Sequence, residues 1–196
     1  MNETHPKRLI ALMLSLLLAA CSGAPGEPPL SGARIGGPFV LTDQNGRTVR
    51  DGDFVGKYRI VYFGYTHCPD ICPNDLAVIG QALRRTEKQA PARAAKIQPL
   101  FITVDPERDT PAVMKAYASA FHPRLLGLTG TPQQVAAAEK AYAVWAGKQP
   151  VQPGGGYAVD HSRMAVLMGP KGEPVALLPT DQGAEQVAAE LAKWVP

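Results

Sequence analysis

The chain has 196 residues, of which 45% are hydrophobic and 19% are charged, so it can build one soluble domain with a substantial core. Its formal net charge of +3 is too small to indicate nucleic-acid binding, and no cluster of lysine and arginine supports that function. With only three cysteines, Cys21, Cys68 and Cys72, the chain is not a disulfide-rich scaffold.

The first 20 residues have the pattern of a signal peptide. Lys7 and Arg8 precede an uncharged run from Leu9 to Ala20, which is too short to cross a bilayer comfortably. Cys21 follows directly, as in the bacterial lipoprotein box, in which the cysteine is lipidated and becomes the mature N-terminus. An uncleaved anchor and a plain secretory signal with a chance cysteine are the alternatives. We therefore predict a lipoprotein signal peptide over residues 1–20 and a lipid anchor at Cys21.

This anchor would hold the protein on the extracytoplasmic, periplasmic face of a bacterial membrane, and the sequence leaves open which membrane. Residues 21–37 are rich in glycine, proline and alanine and show no periodicity, so they cannot build a core. We predict that they form the lipidated N-terminus and a flexible tether. The folded domain is then expected over residues 38–196.

Within that domain, strand patterns alternate with helix patterns. Short apolar segments rich in β-branched and aromatic residues predict strands at residues 39–42, 47–49, 58–64, 97–104, 125–128, 164–168 and 175–178. Longer amphipathic segments predict helices over about residues 73–88, 111–121, 131–144 and 181–194. An Asn45-Gly46 turn makes a hairpin of the first two strands. This order favours an α/β, thioredoxin-like fold with a mixed central sheet flanked by helices and an N-terminal β-hairpin.

The pair Cys68 and Cys72 lies between the strand at 58–64 and the helix that follows it. A thiol at a helix N-terminus is near a partial positive charge, which lowers its pKa and favours the thiolate. Thiolates carry out disulfide exchange and also bind Cu(I). Two structural buried cysteines are the alternative, whereas a structural zinc site lacks a second Cys/His pair. The pair therefore predicts a redox or soft-metal site.

The three residues between the cysteines, against two in thioredoxins, leave room for both sulfurs to face a metal. A nitrogen ligand would also make Cu(II) accessible. His161 precedes the final hairpin, in a loop that faces the cysteines in thioredoxin-like folds, and the alternative is a surface or core histidine. His5 lies in the predicted signal peptide, His67 is expected to point away from Cys68, and His122 is expected to have a capping or surface role.

Five segments together resemble the Sco/SenC family, in order, over about residues 37–194. They are Val61–Pro73, Phe101–Pro111, Phe121–Pro123, Gly127–Gly130 and Val159–Ser162. The resemblance implies a thioredoxin-like domain that binds one copper ion, as Cu(I), Cu(II) or both, through Cys68, Cys72 and His161. Asp160-His161 stands where thioredoxins have a cis-proline. The absence of that proline fits binding of a metal by His161 better than a general thiol–disulfide oxidoreductase activity.

The resemblance also implies a metallochaperone that assists assembly of the dinuclear copper centre of cytochrome c oxidase. The expected partners are the copper-containing subunit of the oxidase and an extracytoplasmic copper donor, and we expect the chain to be a monomer. The alternative is a membrane-anchored thiol–disulfide reductase, in which Cys68 attacks and Cys72 resolves without need of His161. A peroxidase of peroxiredoxin type is a third option, but Tyr65 and Pro69 stand where threonine would precede each cysteine.

Acidic residues near these motifs are candidates for supporting roles. Asp70 places a carboxylate between the cysteines, and Asp160 could orient His161 as an acceptor. Their alternatives are a polar loop residue and a turn-forming residue. A charged loop at residues 105–109 faces a partner or, as we expect, forms a salt-bridged turn and helix cap.

Overall fold

A computed structural model describes residues 26–196. The strands in this part of the chain are β1 (Val40–Asp43), β2 (Thr48–Arg50), β3 (Tyr58–Gly64), β4 (Ile97–Thr103), β5 (Leu126–Thr129), β6 (Ala146–Lys148), β7 (Val159–His161), β8 (Ala165–Met168) and β9 (Pro174–Leu177). The α-helices are α1 (Ile71–Gln89), α2 (Pro91–Ala94), α3 (Pro111–Phe121), α4 (Pro132–Ala141) and α5 (Ala184–Trp194). Short 3-10 helices lie at Asp51–Phe54 and Thr180–Gln182.

Seven of the strands form one mixed sheet in the order β2-β1-β5-β4-β3-β8-β9. The central strands β3, β4 and β5 are parallel, whereas β1 joins β5 and β8 joins β3 in antiparallel pairs. Strands β3 and β4 are buried along almost their whole length, because helices cover both faces of the sheet. This architecture confirms the predicted thioredoxin-like fold with its N-terminal hairpin.

The register of the two central strands determines where the functional loops meet. Tyr58 pairs with Ile97 and Gly64 pairs with Thr103, so β3 and β4 end at the same edge of the sheet. The loop that carries Cys68 leaves from this edge. Ligands of open α/β sheets bind at the carboxyl ends of such strands, so the fold itself points to this edge as the site.

Two differences between the observed and the predicted elements lie at the candidate site. Helix α1 begins at Ile71 instead of residue 73, which places Cys72 within its first turn. A small antiparallel hairpin of β6 and β7 pairs Ala146 with His161. Each of these strands has only three residues, and β6 includes Gly147. They are too short to show the alternation of apolar and polar side chains from which a strand is predicted.

The N-terminal segment lies against the domain from Leu30 onward. The Leu30 amide donates to the carbonyl oxygen of Val175 at 3.1 Å, and the Gly36 amide donates to that of Ala141 at 2.8 Å. The side chains of Leu30 and Ile35 pack on the core. Residues 30–37, predicted to belong to a flexible tether, are therefore part of the packed domain, because their two apolar side chains find partners that the composition of the segment does not reveal.

The predicted signal peptide and Cys21 lie outside the described residues. Among residues 26–196, none of the helices has both the length and the apolar character needed to cross a membrane.

Glu139 on α4 gives the domain a testable pH dependence. Its carboxyl lines a cavity of about 160 Å³ beside the β6–β7 hairpin, and burial raises its pKa from 4.5 to about 7. Between these values the folded state binds more protons than the unfolded state, so this group's stabilising contribution is lost as the pH rises through the folded-state value. We expect the Glu139→Gln protein to lose less free energy of unfolding between about pH 5 and about pH 8 than the wild type, measured by urea denaturation.

The matched control is Glu185→Gln, which changes an exposed carboxylate on α5. That variant should follow the wild-type pH dependence. An unchanged pH dependence in Glu139→Gln would contradict the assignment.

Candidate metal centre

The two cysteines lie on either side of the start of α1. Cys72 is fully buried in the first turn of the helix, whereas Cys68, in the preceding loop, is half-buried. The Cys72 amide, at an end of the helix where backbone donors lack helical partners, donates to Cys68 Sγ at 3.4 Å. The helix N-terminus thus holds the Cys68 sulfur in place.

His161 reaches this pair from the end of β7. Its Nε2 lies 3.3 Å from Cys72 Sγ, and its Nδ1 lies 3.0 Å from the carbonyl oxygen of Ser162. Because a carbonyl oxygen only accepts, Nδ1 carries the hydrogen and the Nε2 lone pair faces the sulfur. The ring of Tyr65 meets the imidazole edge to face, with centroids 5.9 Å apart, and fixes its plane from the protein side.

The donor atoms of Cys68, Cys72 and His161 all lie within 4.8 Å of one another. No other group of three or more such side chains comes this close within residues 26–196. Two thiolates and an imidazole suit copper, because thiolates select Cu(I) and the nitrogen also supports Cu(II). The residues present therefore fit the metal that the sequence predicts.

Two of the three ligand side chains, those of Cys68 and His161, line an open cavity of about 460 Å³. Residues from two segments of the chain line it, namely Tyr65, Cys68, Asp70 and Ile71 from one and Asp160, His161 and Arg163 from the other. Cys68 and His161 border this opening, whereas Cys72 lies beneath them. A metal or a partner can reach the site through this cavity.

Burial raises the pKa of Cys72 to about 12. This is opposite to the lowered pKa predicted from its place at a helix N-terminus, because loss of solvation in the core outweighs the partial charge of the helix. Without a metal, Cys72 is a neutral thiol that can donate to His161 Nε2. Metal binding at this sulfur must therefore release a proton.

Asp160 does not orient His161, whereas Asp70 is a polar residue of the exposed segment at the cavity. Asp160 is exposed and accepts from the side-chain amide of Gln149, and the carbonyl oxygen of Ser162 orients the histidine instead. The carboxylate of Asp70 is also exposed and accepts from Asn74 at 2.7 Å.

The charged loop after β4 is a structural element, as expected, but it is far more buried than a surface turn. Asp109 is fully buried and accepts from the Thr66 amide at 3.0 Å and from the Thr66 and Thr103 hydroxyls at 2.6 Å. It therefore joins the loop of Cys68 to the end of β4. Thr110 provides the helix cap, since its hydroxyl accepts from Val113.

Asp105, which follows β4, binds the loop between β6 and β7. Its buried carboxylate accepts from the Tyr157 hydroxyl at 2.8 Å and from Arg108, whose guanidinium lies 3.7 Å from the centre of the Tyr157 ring. These contacts hold the segment that leads into His161.

The remaining described histidines lie outside the site. His67 is half-exposed, and its Nδ1 lies 3.1 Å from the Thr66 hydroxyl. His122 ends α3 as expected, but it is buried, and its Nε2 lies 3.3 Å from the carboxylate of Glu87.

Three residues that shape the site did not emerge from the sequence. Tyr65 packs on His161, Ser162 orients it, and Asp75 is a buried carboxylate one turn after Cys72. Asp75 had a visible signal, because it places a charge on the apolar face of α1 beside Leu76. The other two have no sequence signal beyond their place within the segments Val61–Pro73 and Val159–Ser162.

A family model described as SCO1/SenC matches residues 27–196. The chain belongs to this family. It is 42% identical over 167 residues to the mitochondrial protein SCO1 of Saccharomyces cerevisiae, a match that covers 83% of this chain and 56% of that protein. The chain therefore spans little more than half the length of this curated relative.

Solved structures of the SCO1/SenC family share the fold. ScoI of Bradyrhizobium japonicum with copper bound is 45% identical, with a TM-score of 0.74 over 82% of this chain and 99% of that one. BsSco, described as a Sco family member with a disulfide switch and as a cytochrome c oxidase assembly protein, is 20% identical, with a TM-score of 0.61 over 87% of this chain and 97% of that one. The latter likeness shows the fold alone.

Proposed function

We propose that the chain is a copper metallochaperone that binds one copper ion through Cys68, Cys72 and His161 and assists assembly of the dinuclear copper centre of cytochrome c oxidase. The observation that carries the proposal is the convergence of two sulfurs and one imidazole nitrogen within 4.8 Å, at an open cavity, in a member of this family. The copper-bound ScoI relative supports copper as the metal.

Each residue has a definite task in this function. Ser162 keeps the proton on Nδ1 of His161, so Nε2 is available as a ligand without a change of tautomer. Cys72 gives up its proton when the metal binds, and the helix N-terminus holds the sulfur of Cys68. Copper is the cargo of the protein, and the open side of the site is where the donor and the oxidase subunit would exchange it.

The proposal includes the lipid anchor at Cys21, which would place the site on the extracytoplasmic face of a bacterial membrane. The lipoprotein box that ends at Cys21 supports it. We expect the Cys21→Ser protein to lose its lipid, measured by mass spectrometry of the membrane fraction. A lipid-modified mature N-terminus that persists in this variant would contradict the assignment.

Copper titration of the reduced full-length protein tests the function. We expect one equivalent of copper per chain, and loss of tight binding in Cys68→Ser and Cys72→Ser, because two soft ligands are essential for Cu(I). The same variants should fail to restore oxidase activity in cells that lack the protein. Tight binding that survives both substitutions, or restored oxidase activity with either, would contradict the proposal.

A thiol–disulfide reductase is the second candidate, and the unequal burial of the cysteines favours it. Half-exposed Cys68 is placed to attack a disulfide of the acceptor, and buried Cys72 is placed to resolve the mixed disulfide. The acceptor would leave as a dithiol, and the chain would end with a Cys68–Cys72 disulfide that an extracytoplasmic thiol reductant must reduce. Full oxidase assembly with His161→Ala would favour this reaction over copper delivery.

A further inference from the structure

Asp75 on α1 is a buried carboxylate held by two side chains from the sheet and from the segment after β7. Only 1% of Asp75 is exposed. Its Oδ2 accepts from the Tyr62 hydroxyl at 2.9 Å and from Arg163 Nε at 2.9 Å, and its Oδ1 accepts from Arg163 Nη2 at 2.7 Å. The pairing with arginine is bidentate, which fixes the relative orientation of the two groups as well as their distance.

The charge of this carboxyl is retained despite its burial. Burial alone raises the pKa of Asp75, but hydrogen bonds from Arg163 and Tyr62 outweigh it and lower the pKa below 3.8. The ion pair is therefore present throughout the neutral range. Arg163 is partly exposed and borders the same cavity as the two outer ligands.

The ion pair connects the elements that carry two of the ligands. Asp75 is three residues after Cys72, one turn along α1, and Arg163 is two residues after His161. The other bonds of this segment run to its own hairpin: the Ser162 amide donates to Trp145, and the Trp145 amide donates to the Ser162 hydroxyl. Within residues 26–196, two sets of hydrogen bonds join residues 161–163 to α1. One is the Cys72–His161 contact itself, and the other is the Asp75–Arg163 pair.

We propose that Asp75 and Arg163 are positioning residues of the metal site, which hold the imidazole nitrogen of His161 at the sulfur of Cys72. This inference rests on the proposed copper function. Neither residue contacts the metal in this role. They act by fixing the segment that follows β7 against α1, so that the three ligand atoms converge before the metal arrives and none of the binding free energy is spent on assembling them.

The test replaces Arg163 by methionine, which keeps an unbranched side chain as far as the position of Nε and removes the guanidinium. We expect the affinity of the purified full-length protein for Cu(II) to fall about 10- to 100-fold, the usual effect of losing a partner that orients a ligand. Competition with a chelator measures the affinity. The electron paramagnetic resonance spectrum of bound Cu(II) should change too, because the nitrogen ligand is no longer held in one position.

Arg47→Met is the matched control. Arg47 also binds a carboxylate that is 1% exposed, Asp43, at 2.8 Å, but in the hairpin turn between β1 and β2. Both variants lose a buried-carboxylate ion pair, so both lower the free energy of unfolding. Only Arg163→Met should alter copper affinity and spectrum. An Arg163→Met protein with wild-type affinity and spectrum, or an Arg47→Met protein with the same losses, would overturn the proposal.

An Arg163→Lys variant and the NMR spectrum of the metal-free protein also test the positioning role. If Arg163→Met does not fold, Arg163→Lys keeps the charge but loses the bidentate geometry, and its affinity should lie below that of the wild type. If the wild type binds no copper, the proposed function fails, and the metal-free protein then decides the positioning role. The nitrogen NMR shift of His161 Nε2 should move in Arg163→Met and not in Arg47→Met, and an unmoved shift would overturn the role.

Discussion

Replacing His161 by alanine should lower the affinity of the reduced protein for Cu(II) by more than about 100-fold, beyond the loss that follows removal of a partner of a ligand. The physical reason is that His161 Nε2 supplies the only nitrogen among the three converging donor atoms. Two thiolates without it favour Cu(I), so the affinity for Cu(I) should fall less. Chelator competition for each oxidation state measures both effects.

His122→Gln is the control for this variant. His122 is buried and paired with Glu87, so its replacement should cost stability without a change in copper affinity. Circular dichroism should show that both variants are folded. Wild-type Cu(II) affinity in His161→Ala would remove the histidine from the ligand set and leave a two-cysteine site.

Replacing Gly64 by alanine should both destabilise the domain and disturb the site. A Cβ at Gly64 would lie 2.8 Å from Cys72 Sγ, closer than packed atoms allow, and would make a tight contact of 3.1 Å with a ring carbon of Phe101. Relief of the first contact requires the buried Cys72 sulfur or the β3 backbone to shift, which changes the position of the sulfur relative to the other two ligands. We expect a loss of about 1–3 kcal/mol in the free energy of unfolding, measured by urea denaturation, together with weaker copper binding.

Gly127→Ala separates these two effects. A Cβ at Gly127 would lie 3.1 Å from the Cβ of Met114, so this variant also crowds the packing of the central sheet but touches no ligand. It should lose stability and keep its copper affinity. Equal copper affinities in Gly64→Ala and Gly127→Ala would show that Gly64 does not determine the position of the Cys72 sulfur.

The central strands could be predicted from sequence because their signal is local. The run from Tyr58 to Gly64 is continuous, β-branched and aromatic, and the observed strand has the same bounds. The spacing of Cys68 and Cys72 after it was also visible. Placing His161 near them required the topology as a whole, since 89 residues separate it from Cys72. The fold brings them together, which no local pattern could show.

Two properties of the site could not be predicted from sequence, because they depend on tertiary packing and on backbone contacts. The pKa of Cys72 was expected to fall and is instead raised, because the sulfur lies in the core beside Gly64, which is a property of tertiary packing. Asp160 was one candidate to orient His161, and the main-chain oxygen of Ser162 does so instead. Every residue has a backbone carbonyl, so a hydrogen bond to one cannot be predicted from residue types and requires the folded structure.

In the proposed delivery of copper, the unequal depth of the two sulfurs would fix the order in which they release the ion. An incoming ligand from a partner can reach the side of Cys68 and His161, but it cannot approach the sulfur of Cys72, which no solvent touches. Cys72 would therefore be the last to release. Its strong preference for the neutral thiol means that a returning proton favours departure of the metal. Burial of Cys72 would thus protect the bound copper from solvent and also weaken the last bond to it. This combination suits a carrier better than a permanent metal centre.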